Sequence, residues 1–392
     1  MDFRLLNANL LPQAADLWDY CFEKKGDPFY EWYFNEYCLK QNTVIGGFDG
    51  DKLACMLHLN PYAINLRGSE VRLPYIVGVA TAPEYRGQHL TRPLLETAFT
   101  VLRAQGAAFA LLMPVNPAIY RPYGFEYCYY RYLYKMPLAE LKKLPPAQNI
   151  KLVRYTDICA GMDAAAAVYE ACAHGLNGMA VRSKTKWQEL LNGYRAEKVM
   201  LAAAFCDEKP CGYMLYSLTD GTFKVQEMLT LDYNAQTALL HYAAGHLSDA
   251  AMFEWLAEPG NMACLDFTGS DYSCILKPFM MARCINIRKA LEQLPVPQNL
   301  EGEAVLLITD KFLPLNNGLL KIKAQNGALT HTSTLDDEEI VMDAAAFTQL
   351  CFGTFSFDEL VRAGKIKVLN PQKSSFLQAL FTKCRNYINE YY

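Results

Sequence analysis

The chain has 392 residues, is 52% hydrophobic and 12% aromatic, and carries a formal net charge of −4. That length suffices for roughly two to four domains with cores of their own, and so aromatic a chain is no disordered polymer. Lys plus Arg (37) nearly balance Asp plus Glu (41), which argues against nucleic acid as the main partner.

Residues 1–40 read as helical, with Leu5, Leu10, Leu11, Ala14, Leu17, Trp18 and Phe22 near helical spacing. Strand-like runs Thr43–Phe48 and Leu53–Leu59 flank Asp49-Gly50-Asp51, a hairpin signal. A strand over Leu73–Thr81 is expected next, then a helix from near Thr91 past Arg103, closed by Gly106. Ala107–Met113 reads as a fully buried strand, so the first sheet is mixed α/β with a crossover helix. The aromatic run from Phe125 to Tyr134 reads as one long strand, and the prolines at 137, 145 and 146 mark a linker.

A second unit repeats the hairpin-then-helix order. Strands are expected at Lys151–Tyr155, Val199–Ala204, Gly212–Ser217 and Phe223–Leu231, with helices at Ala160–Ala173, Thr185–Asn192 and Asn234–Leu247. A third unit begins near Met281–Ile287. It carries strands around Gly302–Thr309 and Leu319–Ala324, then helices at Asp343–Cys351, Ser356–Ala363 and Lys373–Tyr387.

No run reaches the ~20 apolar residues of a membrane span, and Met1-Asp2-Phe3-Arg4 lacks a signal-peptide pattern. A soluble cytoplasmic protein that binds no membrane is expected. The 13 cysteines form no C-x-x-C pair, so they read as reduced small hydrophobes, and no metal site is expected.

The segment that carries chemistry runs from Gly78 to Arg92. A strand leads into a turn holding Arg86, Gly87 and Gln88, and then into a helix. Convergent N–H groups at such a turn make an anion site suited to a pyrophosphate, and Arg86 and Arg92 add positive charge. An ordinary strand-to-helix loop with exposed arginines is the plainer alternative.

This segment resembles the acetyl-CoA-binding motif of the GNAT N-acetyltransferases, [Q/R]-x-x-G-x-[G/A]. Arg86 takes the first position, while His89 stands at the first glycine and Thr91 at the Gly or Ala. A Cβ at His89 crowds a close approach of backbone to phosphate. Downstream, Tyr120-Arg121-Pro122-Tyr123-Gly124-Phe125 resembles the family's Tyr-x-x-x-Gly-[Phe/Tyr] signature.

The resemblance implies acetyl-CoA as co-substrate, held by Val79, Ala80, Thr81, Arg86, Gly87, Gln88, His89, Leu90, Thr91 and Arg92. It implies Tyr120 as the acid that protonates the departing CoA thiolate. Over the whole length the chain is similar to the Eis-type (enhanced intracellular survival) acetyltransferases. The implied fold is mixed α/β: two tandem GNAT-like domains, 1–137 and 138–284, and a sterol-carrier-protein-like α+β domain, 285–392. In that family the terminal carboxylate acts as base, which falls here on Tyr392, and a hexamer is implied.

The expected reaction is direct transfer of an acetyl group to a primary amine of a small cationic molecule, aminoglycoside-like, or to a polyamine or lysine amine. Acidic residues Asp19, Glu23, Asp27, Glu31 and Glu36 suit such a substrate, although each reads equally as a solvated helix residue. The second domain lacks both signatures and is assigned to shape and assembly. The alternative is a non-catalytic acetyl-CoA- or lipid-binding protein with a decayed transferase site.

Overall fold

The hairpin read at Asp49-Gly50-Asp51 forms, with Thr43–Asp49 antiparallel to Lys52–Leu66. The structure is a computed structural model that describes residues 1–38, 41–269 and 271–391. The chain divides into two compact units: residues 1–129, 279–386 and 390–392 form one, and residues 130–278 and 387–389 the other.

In the first unit, strand Asp2–Leu5 pairs with Thr43–Asp49 at the sheet edge. The sequence reading placed helix there; four mostly exposed residues carry no helical or alternating pattern to mark them. Helix Leu11–Cys21, the short helix Pro28–Trp32 and a π-helical stretch Tyr33–Cys38 follow. Strand Lys52–Leu66 pairs next with Ser69–Thr81, and Ser69–Thr81 with the buried parallel strand Phe109–Leu112. Helix Thr91–Ala104 makes the crossover; Leu94, Leu95, Ala98, Phe99 and Leu102 form its buried stripe.

The aromatic run is not one strand. Glu126–Tyr127 ends in the first sheet, and Tyr130–Pro137 pairs in the second unit's sheet between Met252–Ala257 and Ser273–Pro278. Strand Met281–Cys284, far along the chain, fills the first sheet between Phe109–Leu112 and Glu126–Tyr127. The first unit also holds a five-stranded sheet of Gly302–Thr309, Gly318–Gln325, Ala328–Ser333, Ile340–Asp343 and Ile366–Val368. Helices Ala344–Phe352, Phe357–Arg362 and Ser374–Leu380 accompany it. The expected helix to Tyr387 thus stops at Leu380.

The second unit is a seven-stranded sheet in which Met200–Cys206, Lys209–Thr219 and Thr222–Thr230 form an antiparallel run. Thr222–Thr230 then pairs in parallel with Met252–Ala257 across helix Tyr233–Ala244. The proline-marked stretch is no free linker: Leu138, Leu141 and Leu144 are buried in this unit's core.

Candidate functional site

Ser69–Thr81 follows its two neighbours only part of the way. It pairs with Phe109–Leu112 at Tyr75 and Ile76 and no further. On its other side the register jumps: Val77 faces His58 and Ala80 faces Met56, so Gly78 and Val79 together oppose the single residue Leu57. This is a bulge, which bends a strand and turns its groups outward. Gly78 makes it feasible, with φ +59 and the Trp18 ring lying where a Cβ would stand. Val79, Ala80 and Thr81 therefore have no strand partner on the side of Phe109–Leu112.

The strand's end runs through the short turn Pro83–Tyr85 into Arg86–Leu90 and the helix Thr91–Ala104. No side chain caps that helix, and its first turn carries no acidic residue. Among the described residues, the N–H groups of Gly87, Gln88, His89, Leu90 and Thr91 have no hydrogen-bond partner. Five consecutive free amides precede the helix, in the place the sequence motif marks, and such groups can receive an anion. Arg86 Nε donates to the Thr81 carbonyl at 3.2 Å, which ties the turn back to the strand. Arg92 points elsewhere, pairing with Glu96 at 3.1 Å and lying over the Phe312 ring.

His89, at the motif's glycine position, has φ +58. The loop keeps the left-handed turn that glycine would adopt freely, and histidine is among the few residues that tolerate it. Its side chain is exposed. His89→Gly is expected to raise stability by at most about 1 kcal/mol by removing left-handed strain. It is also expected to tighten acetyl-CoA binding several-fold; thermal melting and titration calorimetry check the two effects.

Tyr120 closes the helix Pro117–Tyr120, whose N-terminus Asn116 caps by accepting from the Ala118 N–H. Its ring meets Phe125 edge-on and is 8% exposed. Its hydroxyl has no partner among the described residues. Burial pushes the phenol up to about 12.

The signature glycine, Gly124, has φ +82, and the Arg283 guanidinium occupies the space of any Cβ. Arg283 comes from the strand Met281–Cys284, pairs with Asp310 at 2.7 Å and lies over the Phe99 and Phe312 rings. The glycine of the signature thus seats a buried ion pair behind the Tyr120 turn.

The acidic residues near the start serve their own loop. Glu23 accepts from Trp18 Nε1 at 2.8 Å, Asp27 from the Lys24 N–H, Asp19 from the Lys25 N–H, and Glu31 from the Gly26 N–H. Tyr392 lies outside the described residues. Just before it, Glu390 accepts from the Tyr62 hydroxyl, and Tyr391 packs on Phe279.

Sequence reasoning missed a buried polar group on the sheet's helix-facing side. The Tyr33 hydroxyl lies 3.0 Å from His58 Nδ1, donates to Asn60 and accepts from Asn42. Burial lowers the His58 imidazole to about 3, so it is neutral at ordinary pH. The alternation His58, Asn60 on one strand face was the available signal; the partner Tyr33 comes from a distant helix.

The second unit's corresponding junction has other chemistry. There the helix Tyr233–Ala244 is capped by Asp232, whose carboxylate accepts from the Ala235 N–H. The adjoining cleft of about 330 Å³ is lined by Asp232, Glu258 and Asp266, with no Lys or Arg. Carboxylates at a helix start oppose a pyrophosphate. Among the described residues no cluster of three or more His, Cys, Asp or Glu is arranged to hold a metal ion. No helix among them is long and apolar enough to cross a membrane. Six of the 13 cysteines are buried, six are half-buried, Cys21 and Cys159 among them, and Cys274 is exposed.

The first unit thus joins a strand bent by a bulge to a turn of free amides at a helix start, in a mixed α/β sheet. Comparison with known proteins agrees. Residues 2–128 and 178–284 each match an acetyltransferase (GNAT) domain family, and residues 287–389 match a sterol carrier protein domain family. The chain is a mixed α/β protein with GNAT domains and a C-terminal sterol-carrier domain.

It is 23% identical over 354 residues to an uncharacterized N-acetyltransferase of Streptomyces avermitilis, covering 83% of each chain. Among solved structures it is similar to a conserved protein of unknown function from Enterococcus faecalis V583. The TM-score is 0.89 at 22% identity, covering 100% of this chain and 99% of that one. It is also similar to Eis1 from Mycobacterium abscessus, with TM-score 0.77 at 18% identity and complete coverage of both chains. At these identities the structural likenesses establish the fold alone.

Proposed function

We propose that the protein is an acetyl-CoA-dependent N-acetyltransferase of the Eis type, acting in the cytoplasm on a primary amine of a small cationic molecule or a lysine side chain. The observation that carries this reading is the run of five free amides from Gly87 to Thr91, placed beside a strand that splays at Val79. The residues fit acetyl-CoA. Gly87, Gln88, His89, Leu90 and Thr91 would hold its pyrophosphate, Arg86 would add charge, and Val79, Ala80 and Thr81 would edge the acyl arm. Acetyl-CoA, when bound, supplies the activated thioester; the rest is the chain's own work.

A backbone N–H of the strand at Val79–Thr81 would stabilise charge on the acyl oxygen. Tyr120 Oη holds the proton that the departing sulfur takes. The Tyr392 carboxylate takes the proton of the attacking amine. The left-handed φ of His89 keeps the backbone course that glycine gives the motif, which favours an intact loop over the decayed-site alternative.

The division 1–137, 138–284 and 285–392 belongs to this proposal as the order of segments in the chain. In it, Tyr130–Pro137 serves the second unit's sheet and Met281–Cys284 the first. The second GNAT segment has a structural task, in keeping with its carboxylate-capped helix. Assembly into a hexamer is likewise proposed, from the resemblance.

Calorimetric titration with acetyl-CoA, followed by thiol release with a panel of amines, tests the reading. Binding and amine-dependent thiol release are expected. Absence of acetyl-CoA binding overturns it.

A further inference from the structure

The second unit contains a buried charged network none of whose groups is among the candidate site residues. Arg182 pairs with Glu227 through two parallel bonds of 2.7 and 2.8 Å, with the two side chains 2% and 0% exposed. The guanidinium lies over the Tyr169 and Trp187 rings, and the Tyr213 hydroxyl donates to the same carboxylate. Burial pushes Glu227 upward, but Arg182, Tyr213 and Asn389 outweigh it and hold the carboxyl below its ordinary range.

The last of these partners comes from the far end of the chain. Asn389 Nδ2 donates to Glu227 at 2.7 Å, and its neighbours are fixed in the same unit. The Tyr387 N–H donates to the Asn177 carbonyl, the Tyr387 ring sits in the core, and the Ile388 carbonyl accepts from buried Arg131.

A buried ion pair is weak evidence of stabilisation, because apolar residues of similar volume often serve as well. What such a pair supplies is directionality. Its carboxylate has lone pairs that only a matching donor satisfies, and here a tail amide takes one of them. In this unit the arrangement surrounds three residues of the tail, 387–389.

We propose that Asn389, gripped by the Arg182–Glu227 pair, is a positioning residue that fixes the C-terminal segment for acetyl transfer. The kinetic half of this rests on the function proposed above; the clamp itself does not.

The test uses the full chain and reads two quantities: hydrogen exchange of the amides of residues 387–391, and kcat with KM for acetyl-CoA. Asn389→Asp sets carboxylate against carboxylate. It should speed exchange and lower kcat by about tenfold or more, with KM for acetyl-CoA unchanged, since one buried charge-assisted bond is lost. Asn389→Ala, which adds no charge, should move both in the same direction by less. Adding Glu227→Gln to Asn389→Asp reverses donor and acceptor, keeps a carboxylate for Arg182, and should restore both readouts.

Unchanged exchange in both single variants overturns the clamp. Faster exchange with unchanged kcat overturns the positioning role while leaving acetyl transfer intact. If the unaltered protein transfers no acetyl group, the kinetic half falls with the function, and exchange still decides the clamp.

Discussion

Tyr120→Phe is expected to lower kcat by about 10²–10⁴-fold with KM for acetyl-CoA nearly unchanged, the range lost when a positioned general acid is removed. The substitution deletes one oxygen and keeps the ring that packs on Phe125, so the melting temperature should hold. That separates a chemical role from a packing one.

The sign of the pH dependence follows from burial. The folded phenol is raised to about 12, so it stays protonated well above the ordinary tyrosine value near ~10. A general acid must carry its proton. The alkaline limb of kcat should therefore show no loss from Tyr120 between about pH 8 and 10, where an exposed tyrosine would begin to lose its proton. A pH–rate profile of the unaltered enzyme, with thiol release as readout, checks this. Activity in Tyr120→Phe equal to the parent would remove the acid from the mechanism.

Arg283→Met is expected to destabilise the first unit by about 3–5 kcal/mol, because it strands the Asp310 carboxylate in the interior. Asp310 is 5% exposed and also accepts from Phe312 N–H, Leu313 N–H and Asn316 Nδ2. Three neutral donors do not replace a guanidinium for a buried charge. Adding Asp310→Asn to Arg283→Met keeps an acceptor for the Phe312 and Leu313 N–H groups and removes the charge, so the double variant should recover a large part of the loss. Urea unfolding of the three proteins measures this. A single variant as stable as the parent would mean that the carboxylate reaches solvent. Because Arg283 packs on Gly124, four residues after Tyr120, loss of the pair should also loosen the Tyr120 turn and lower kcat.

How much of this was legible beforehand depended on the range of the interactions. The helix Thr91–Ala104 was readable from its apolar period and from Gly106 at its end, since both are local. So was the loop Arg86–Leu90 between strand and helix. That His89 would take a left-handed φ was not readable; the sequence showed only an unexpected Cβ where glycine was wanted.

The strand exchange was hidden for a different reason. Tyr130–Pro137 has strand character that suits either sheet, and its partner Met252–Ala257 lies over 100 residues along the chain. Alternation marks a strand but does not choose its neighbour. The edge strand Asp2–Leu5 and the irregular path after Leu380 were missed alike, because packing against distant residues decides both.

By itself, the sequence determined the local chemistry: a strand, a turn of unpaired amides, a helix start, and a tyrosine at a fixed distance beyond the next strand. Covalent spacing and backbone propensity act over a few residues, so these survive in any packing that forms the sheet. Tertiary structure alone decided which groups meet across the chain. It set Arg283 against Asp310, Tyr33 against His58, and Asn389 against Glu227. Each of these joins buried polar atoms from separate segments, and burial makes an unmatched partner costly, so they hold only once the whole fold has brought them together.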